Sequence, residues 1–429
     1  MNKHYNRKSK LKSVLCCSIV IQFIVDIGIG IGIGQIKAFT PQSLFNPPSA
    51  RYYESEWKME SSNQFEVATE EETAGDLTKT TLITLPAYLE KNHQVDEGLS
   101  NIICQAAISC IEISKKLSVL PIQSSSLSSS QGLKTNVQGE VQKPMDVIAN
   151  EIFMHNLKDK VAALASEEEA EITRGTNLSS CMYEIAFDPL DGSSNLDVSV
   201  PTGSIFGIAH HTPDKPFSTA GTNLVAAGYS VYSSSLEFVI SIGQGSDAQA
   251  VGFTFCADMD FLASQGIILD KDGDEDTSRN MAAQFILSRP NLQCPPNGHF
   301  YSLNDGREPD WPQGLTKWVH DAKRGQTPSG TTYSSRYICS LCADFHRTIL
   351  YGGWCGNPRP HLRLLYEAAP LAHIVEACGG RGSDGVESVL SLVPAGLHDR
   401  TSLFLGSVND VMELESYGDV QQMPKTYKS

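Results

Sequence analysis

The sequence predicts an α/β protein of the layered α+β kind, with helices and strands interleaved. Three observations predict it. Leu99, Ile102, Ile103, Ala106, Ala107, Cys110 and Ile111 recur at helical spacing, so a helix covers this stretch. Short apolar runs of strand length end in acids: Val161 to Ala165 leads into Ser166-Glu167-Glu168-Glu169, and Tyr183 to Phe187 leads into Asp188. Between the first helix and these runs, a second helix begins near Asp146 and carries Ile148, Ile152 and Leu157 on one side. His361 to Tyr366 alternates like a strand and ends in Glu367. Pro370 then opens a helix that stops at Gly379-Gly380. Acids at strand ends matter because α/β sheets place their sites there.

The chain has 429 residues, 41% apolar and 19% charged, which excludes whole-chain disorder. Its length corresponds to about two to three domains. Lys and Arg number 33 against 49 Asp and Glu, a net charge of −16. That balance excludes a general nucleic-acid binder, which needs a basic face. It leaves phosphorylated ligands open, because metals and backbone N–H groups can hold them.

The N-terminus reads as an address. Lys3, Arg7, Lys8, Lys10 and Lys12 precede an apolar run from Val14 to Val25, too short for a membrane span. A signal peptide over 1–38 is expected. Ala38-Phe39 resembles the junction in plastid presequences of algae with secondary plastids. Residues 39–78 then form a transit peptide and flexible leader, and the destination is the plastid stroma. Ordinary secretion or an endomembrane location is the alternative. Residues 1–38 hold six Lys/Arg and one acid, so the remainder has 27 basic and 48 acidic residues, a net −21.

Three local patterns carry no function. Gly28-x-Gly30 lacks the third glycine of a dinucleotide loop, since Ile33 stands there. Asp270 to Asp276 lacks the glycine position and closing Glu of a calcium loop. Cys339-Ser-Leu-Cys342 has no second pair at metal spacing, so buried unpaired thiols are expected.

The chemistry centres on Phe187-Asp188-Pro189-Leu190-Asp191-Gly192-Ser193-Ser194-Asn195. Across a tight turn, Asp188 and Asp191 can face one point, and Pro189 fixes the backbone between them. Gly192 permits a positive φ, and Ser193 and Ser194 offer hydroxyls and N–H donors to a phosphate. Hard oxygen ligands beside such a cradle describe a Mg²⁺-dependent phosphoryl site. A bare Asp-x-x-Asp turn is served equally well by a capped loop.

This text resembles the signature of class 1 fructose-1,6-bisphosphatases, from about Thr80 to about Glu413. Separated blocks repeat the resemblance, among them Thr135-Asn-Val-Gln-Gly139, Gly203-Ser-Ile-Phe-Gly207, Tyr301-Ser-Leu-Asn304, Asp344-Phe-His-Arg347 and Leu362-Arg-Leu-Leu-Tyr-Glu367. The resemblance implies the sugar-phosphatase fold, with alternating α and β layers. It also implies an N-terminal metal-binding domain over 79–288 and a C-terminal substrate-binding domain over 289–429. The implied reaction is Mg²⁺-dependent hydrolysis of the 1-phosphate of fructose 1,6-bisphosphate to fructose 6-phosphate and phosphate. Two or more Mg²⁺ ions per site are implied, with Mn²⁺ a possible substitute. The alternatives are a sedoheptulose-1,7-bisphosphatase and an inactive sugar-phosphate-binding regulatory relative.

The residues follow position by position. Glu167, Glu168, Asp188, Asp191, Glu367 and the Leu190 carbonyl match the metal ligands. Asp146, Glu140 and Glu168 match the catalytic acids, Glu140 standing where the family usually has Asp. Asp191, Gly192, Ser193 and Ser194 match the 1-phosphate cradle. Asn304 and Tyr337 match the 6-phosphate pocket, and Arg363 is a further substrate residue. Arg336 matches an arginine that reaches a neighbouring subunit, which implies a homo-oligomer, by resemblance a homotetramer. No stable membrane association is expected once the presequence is removed.

The chain departs from the family pattern in three places. Arg307 stands where a phosphate-binding Tyr is usual. The segment between Tyr351 and Glu367 is shortened, has lost a pocket Tyr, and has His361 where a substrate Lys is usual. The AMP site is replaced by His93 to Gly98, with Met182 for its Lys, and His210 to Thr222 has no Cys. Neither AMP inhibition nor thioredoxin activation is expected.

Overall fold

A computed structural model describes residues 82–124, 143–176, 181–267, 269 and 277–422. The signal peptide and leader over 1–78, Thr135 to Glu140, and the acidic stretch 270–276 lie outside the described residues.

Three helices come first: α1 (Leu85–Lys91), α2 (Glu97–Ser124) and α3 (Pro144–Leu157). They cover one face of an eight-stranded sheet. Its strands are β1 (Ala163–Ser166), β2 (Thr173–Arg174), β3 (Tyr183–Asp191), β4 (Thr202–His210), β5 (Leu224–Tyr232), β6 (Leu236–Ile242), β7 (Gln249–Phe255) and β8 (Phe285–Arg289). Their order is β2-β1-β3-β4-β5-β6-β7-β8. Pairing is antiparallel except between β1 and β3, which run parallel and so bring their C-terminal acids side by side.

A five-stranded sheet follows, in the order β10-β9-β11-β13-β12. It is built from β9 (Phe300–Ser302), β10 (Ser334–Ser335), β11 (Trp354–Arg363), β12 (Arg381–Ser383) and β13 (Arg400–Gly406). The helices of this half are α4 (Gln313–Arg324), α5 (Leu341–Tyr351), α6 (Ala369–Ala377) and α7 (Val408–Ser416).

Alternation along the strands decides the layers. Phe238, Ile240 and Ile242 of β6 pack with Ile102, Ile103 and Phe153 of the first helices. Val239 of β6 faces the other way, into a core with Phe345 of α5, Ile374 of α6 and Leu403 of β13. A third core joins Trp318 of α4, Val411 and Leu414 of α7, and Trp354 and Phe404 of the second sheet. Helices and sheets therefore alternate in five layers, with α5 and α6 between the two sheets. Such strands, buried on both faces, need the near-continuous apolar runs that β5 and β6 show.

Two sequence expectations change. Residues 364–368 form a π-helical turn instead of continuing the strand, which ends at Arg363. Asp188 and Asp191 lie within β3 instead of spanning a tight turn.

Candidate active site

In a regular strand, residues three apart face opposite sides. A bulge removes that obstacle at Asp188 and Asp191. Asp188 pairs with Ile205 and Asp191 with Gly203, so Pro189 and Leu190 together oppose the single residue Ser204. Pro189 has no N–H to lose, and its carbonyl accepts from Ser204 Oγ at 2.7 Å. The Leu190 N–H donates to Asp188 Oδ1 at 2.9 Å. The chain then turns at Gly192, with φ +76°, where a side chain would be strained. Gly203 meets a tighter limit. A Cβ there would lie 2.4 Å from Cys342 Sγ, so only glycine lets α5 approach β4. That approach lets the Cys342 N–H reach Asp191 Oδ2 at 3.1 Å.

Glu367 arrives from the π-turn before α6, a kind of turn frequent at functional sites. One ligand oxygen each from Asp188, Asp191 and Glu367 lies within 4.8 Å of the others, and all three residues are buried. Glu167 follows β1, and its N–H donates to the Phe187 carbonyl at 3.2 Å, which holds it beside Asp188. Arg363 pairs with Glu167 at 2.8 Å and with Glu367 at 3.8 Å. Its N–H also donates to Glu367 Oε2 at 2.6 Å.

The electrostatics follow from this crowding. Burial, then the charges of Glu167, Asp191 and Glu367, push the Asp188 carboxyl well above its ordinary range. Glu367 is raised well above its range by burial and by Glu167, against the pull of Arg363. Asp191 is raised by burial, partly offset by the Cys342 N–H. Four acids share one guanidinium, which leaves three negative charges when all four ionise. Nearly dry, hard oxygen donors with that surplus fit a divalent cation such as Mg²⁺.

A cavity of about 420 Å³ opens over this cluster. Asp146, Glu167, Glu168, Asp188, Leu190, Asp191, Gly192, Ser193, Ser194, His361, Arg363 and Glu367 all line it. Asp146 sits in the first turn of α3, where its Oδ2 accepts from the Lys143 N–H at 2.7 Å and caps the helix. Glu168 lines the same wall outside the three-carboxylate group, with its N–H on Ser166 Oγ at 3.3 Å.

Asn304, Arg307 and Tyr337 lie apart from these residues, around a second cavity of about 50 Å³. Sequence reasoning missed Asn357 and Arg359 in its wall. The signal available was the shortened segment, whose register with the family pattern was lost. His361 lines the acidic cavity and not this one. Arg336 lines neither; it is exposed, with its guanidinium 5.0 Å from the Phe300 ring centre. Glu140 lies outside the described residues.

Sequence reasoning also missed Asp344. Its carboxylate accepts from the N–H groups of Ile338 at 2.9 Å and Cys339 at 3.1 Å, fixing the loop after Tyr337. Asn195 clasps the same loop, donating to the Cys339 carbonyl at 2.7 Å.

Two family models match the chain. The fructose-1-6-bisphosphatase N-terminal domain covers residues 83–260 and the C-terminal domain covers 294–419. The chloroplastic fructose-1,6-bisphosphatase of Pisum sativum is 38% identical over 369 residues, 78% of this chain and 83% of that protein. The chloroplastic relative from Brassica napus is 38% identical over 78% of this chain and 82% of its own length. Among solved structures, Leishmania major fructose-1,6-bisphosphatase in holo form matches with a TM-score of 0.66 and 31% identity. It covers 79% of this chain and 99% of that one. With both halves matched in order and the buried acidic cluster inside the matched residues, the chain belongs to the fructose-1,6-bisphosphatase family.

Proposed function

We propose that this chain is a phosphoric monoester hydrolase that removes the 1-phosphate of fructose 1,6-bisphosphate, giving fructose 6-phosphate and phosphate. The observation that carries the reading is the buried cluster of Asp188, Asp191 and Glu367 lining a cavity large enough for a sugar phosphate. Mg²⁺ is the cofactor these donors fit: Asp188, Asp191 and Glu367 would hold it, with Glu167, Glu168 and the Leu190 carbonyl. When bound, it supplies positive charge to a phosphoryl group and makes water more acidic.

The chain's own residues do the rest. Gly192, Ser193 and Ser194 receive the reacting phosphate at the end of β3. Asp146 takes the proton of the attacking water on Oδ1, while Oδ2 stays on the Lys143 N–H. Glu140 assists from the segment preceding α3. Arg363 neutralises Glu167 in the metal-free protein and turns to the phosphate when substrate is present. Asn304, Arg307 and Tyr337 receive the second phosphate, and His361 stands on the sugar side of the acidic cavity.

Residues 79–288 form the domain with most of the metal ligands, and 289–429 form the substrate-binding domain, which adds Glu367 to the metal site. Arg336, exposed and outside both cavities, serves a partner subunit in a homotetramer. The plastid naming of the relatives and the basic, then apolar, N-terminus support action in a plastid stroma.

Phosphate release from fructose 1,6-bisphosphate and sedoheptulose 1,7-bisphosphate, each with and without Mg²⁺, tests the reading. Mg²⁺-dependent release from the fructose compound is expected. Faster release from the sedoheptulose compound would reassign the substrate, and release from neither would leave only a binding protein.

A further inference from the structure

Resting on the bisphosphatase reading, the geometry points to Arg359 as the residue that selects substrates carrying a second phosphate. It acts with Arg307 as a two-arginine clamp on that group. A local break in β11 carries this residue. Asn357 pairs with Leu403 and Leu362 with Thr401. Pro358, Arg359, Pro360 and His361 therefore oppose Ser402 alone. Two prolines flank the arginine, and neither has an N–H to give to a ladder. The segment bows out of the sheet, and Arg359 and His361 ride on it two residues apart.

The bow is stapled from three sides. Ser402 Oγ donates to the Pro358 carbonyl at 2.8 Å, and the Gln422 N–H donates to the same oxygen at 2.8 Å. The Arg359 N–H donates to Asn357 Oδ1 at 3.1 Å. Fixing the backbone lowers the ordering cost when the guanidinium meets a ligand.

The cavity beside it is chemically unlike its neighbour. It has about 50 Å³, room for a few waters or one phosphate group and too little for a sugar ring. Arg307, Arg359, Asn304 and Tyr337 line it, with no acidic side chain among the described lining residues; Asp310 stands just outside, 3.9 Å from the Arg307 guanidinium. Two guanidiniums, an amide and a phenol form a donor set for a phosphate dianion, and each arginine can bind it with a paired N–H fork. The same strand reaches the acidic cavity through His361 and Arg363. Arg363 lies four positions after Arg359, so their Cα atoms are at most about 14 Å apart. One small bisphosphate can therefore bridge the two cavities.

The test compares Arg359→Ala and Arg359→Lys with the unaltered chain, in Mg²⁺, on fructose 1,6-bisphosphate and fructose 1-phosphate. Losing a charge-assisted contact should raise KM for the bisphosphate about 10- to 100-fold in Arg359→Ala, with kcat little changed. The lysine variant should recover part of the loss. Activity on fructose 1-phosphate, which has nothing to place in the second cavity, should stay within about twofold. Equal loss on both substrates, or loss on neither, overturns the assignment.

Fructose 6-phosphate binding by calorimetry reads the clamp without turnover and should weaken about tenfold or more in Arg359→Ala. An active protein with unchanged fructose 6-phosphate affinity in the variant refutes the clamp and leaves the hydrolase reading standing. A protein that binds fructose 6-phosphate through Arg359 but releases no phosphate refutes the hydrolase reading and leaves the clamp standing.

Discussion

Asp188→Asn should make the metal-free protein more stable and the enzyme inactive. Asp188, Asp191 and Glu367 place oxygens within 4.8 Å of one another. At an effective dielectric of about 20, each ionised pair at that distance repels by about 3.5 kcal/mol. Asp188 takes part in two such pairs. Arg363 and partial protonation recover much of this, leaving a net relief of about 1–3 kcal/mol. Asparagine keeps an Oδ1 for the Leu190 N–H, so the local hydrogen bond survives. Thermal unfolding in EDTA should rise by a few degrees. Mg²⁺ should raise the melting temperature of the unaltered chain, by about 2.7 kcal/mol of linkage at 100 times Kd, and do little for the variant. Phosphate release should fall more than about 100-fold. A variant that melts at or below the unaltered chain in EDTA, or gains as much from Mg²⁺, would refute the reasoning.

Two further outcomes are expected. His373 is buried and His346 half-buried, and desolvation keeps both neutral, each with a pKa lowered to about 4. The unfolded chain takes up their protons near pH 6.5 and the folded chain only near 4. Their contribution is thus whole above about 6.5 and is lost as pH falls toward 4, by up to about 1.4 kcal/mol per unit for each. Melting curves between pH 7 and 5 should be less pH-sensitive in a His346→Gln/His373→Gln variant, and an unchanged slope would count against this account. At the start of α2, Asp96 accepts from the Leu99 N–H at 2.7 Å and from the Tyr183 hydroxyl at 2.8 Å, so the helix end is filled by the chain's own carboxylate. Millimolar AMP should leave the rate unchanged and Asp96→Ala should cost about 1 kcal/mol of stability; inhibition by micromolar AMP would contradict this.

Much of the site was legible because its acids sit at the ends of apolar runs. Asp188, Asp191 and Glu367 stand out in the text, and the structure joins them. The means of joining them was not legible. Spacing of three reads as a turn, and only the pairing with Ser204 shows a strand with two residues against one. Leu364 to Tyr366 reads as strand because short apolar runs do not distinguish a strand from a π-turn. Arg363 reads as a substrate residue, and its pairing with Glu167 depends on chain segments nearly two hundred residues apart. Arg359 was invisible because a proline-flanked bow has no periodicity to detect. The alternating layers followed from the resemblance alone, since local text does not say which sheet face α5 and α6 share.

The hydrogen bond from Cys342 to Asp191 spans 151 positions, and Glu167 waits for Arg363. In a growing polypeptide these closures come late. A chain stopped before residue 363 holds Glu167, Asp188 and Asp191 with no guanidinium to quiet them, and one stopped before 367 lacks a cation ligand. Closures of such range also slow folding, because the loop entropy is lost before the contact forms. Hydrolytic competence should therefore appear in a single step at chain completion, and a time course of synthesis in a cell-free system should show full-length protein preceding any phosphate release.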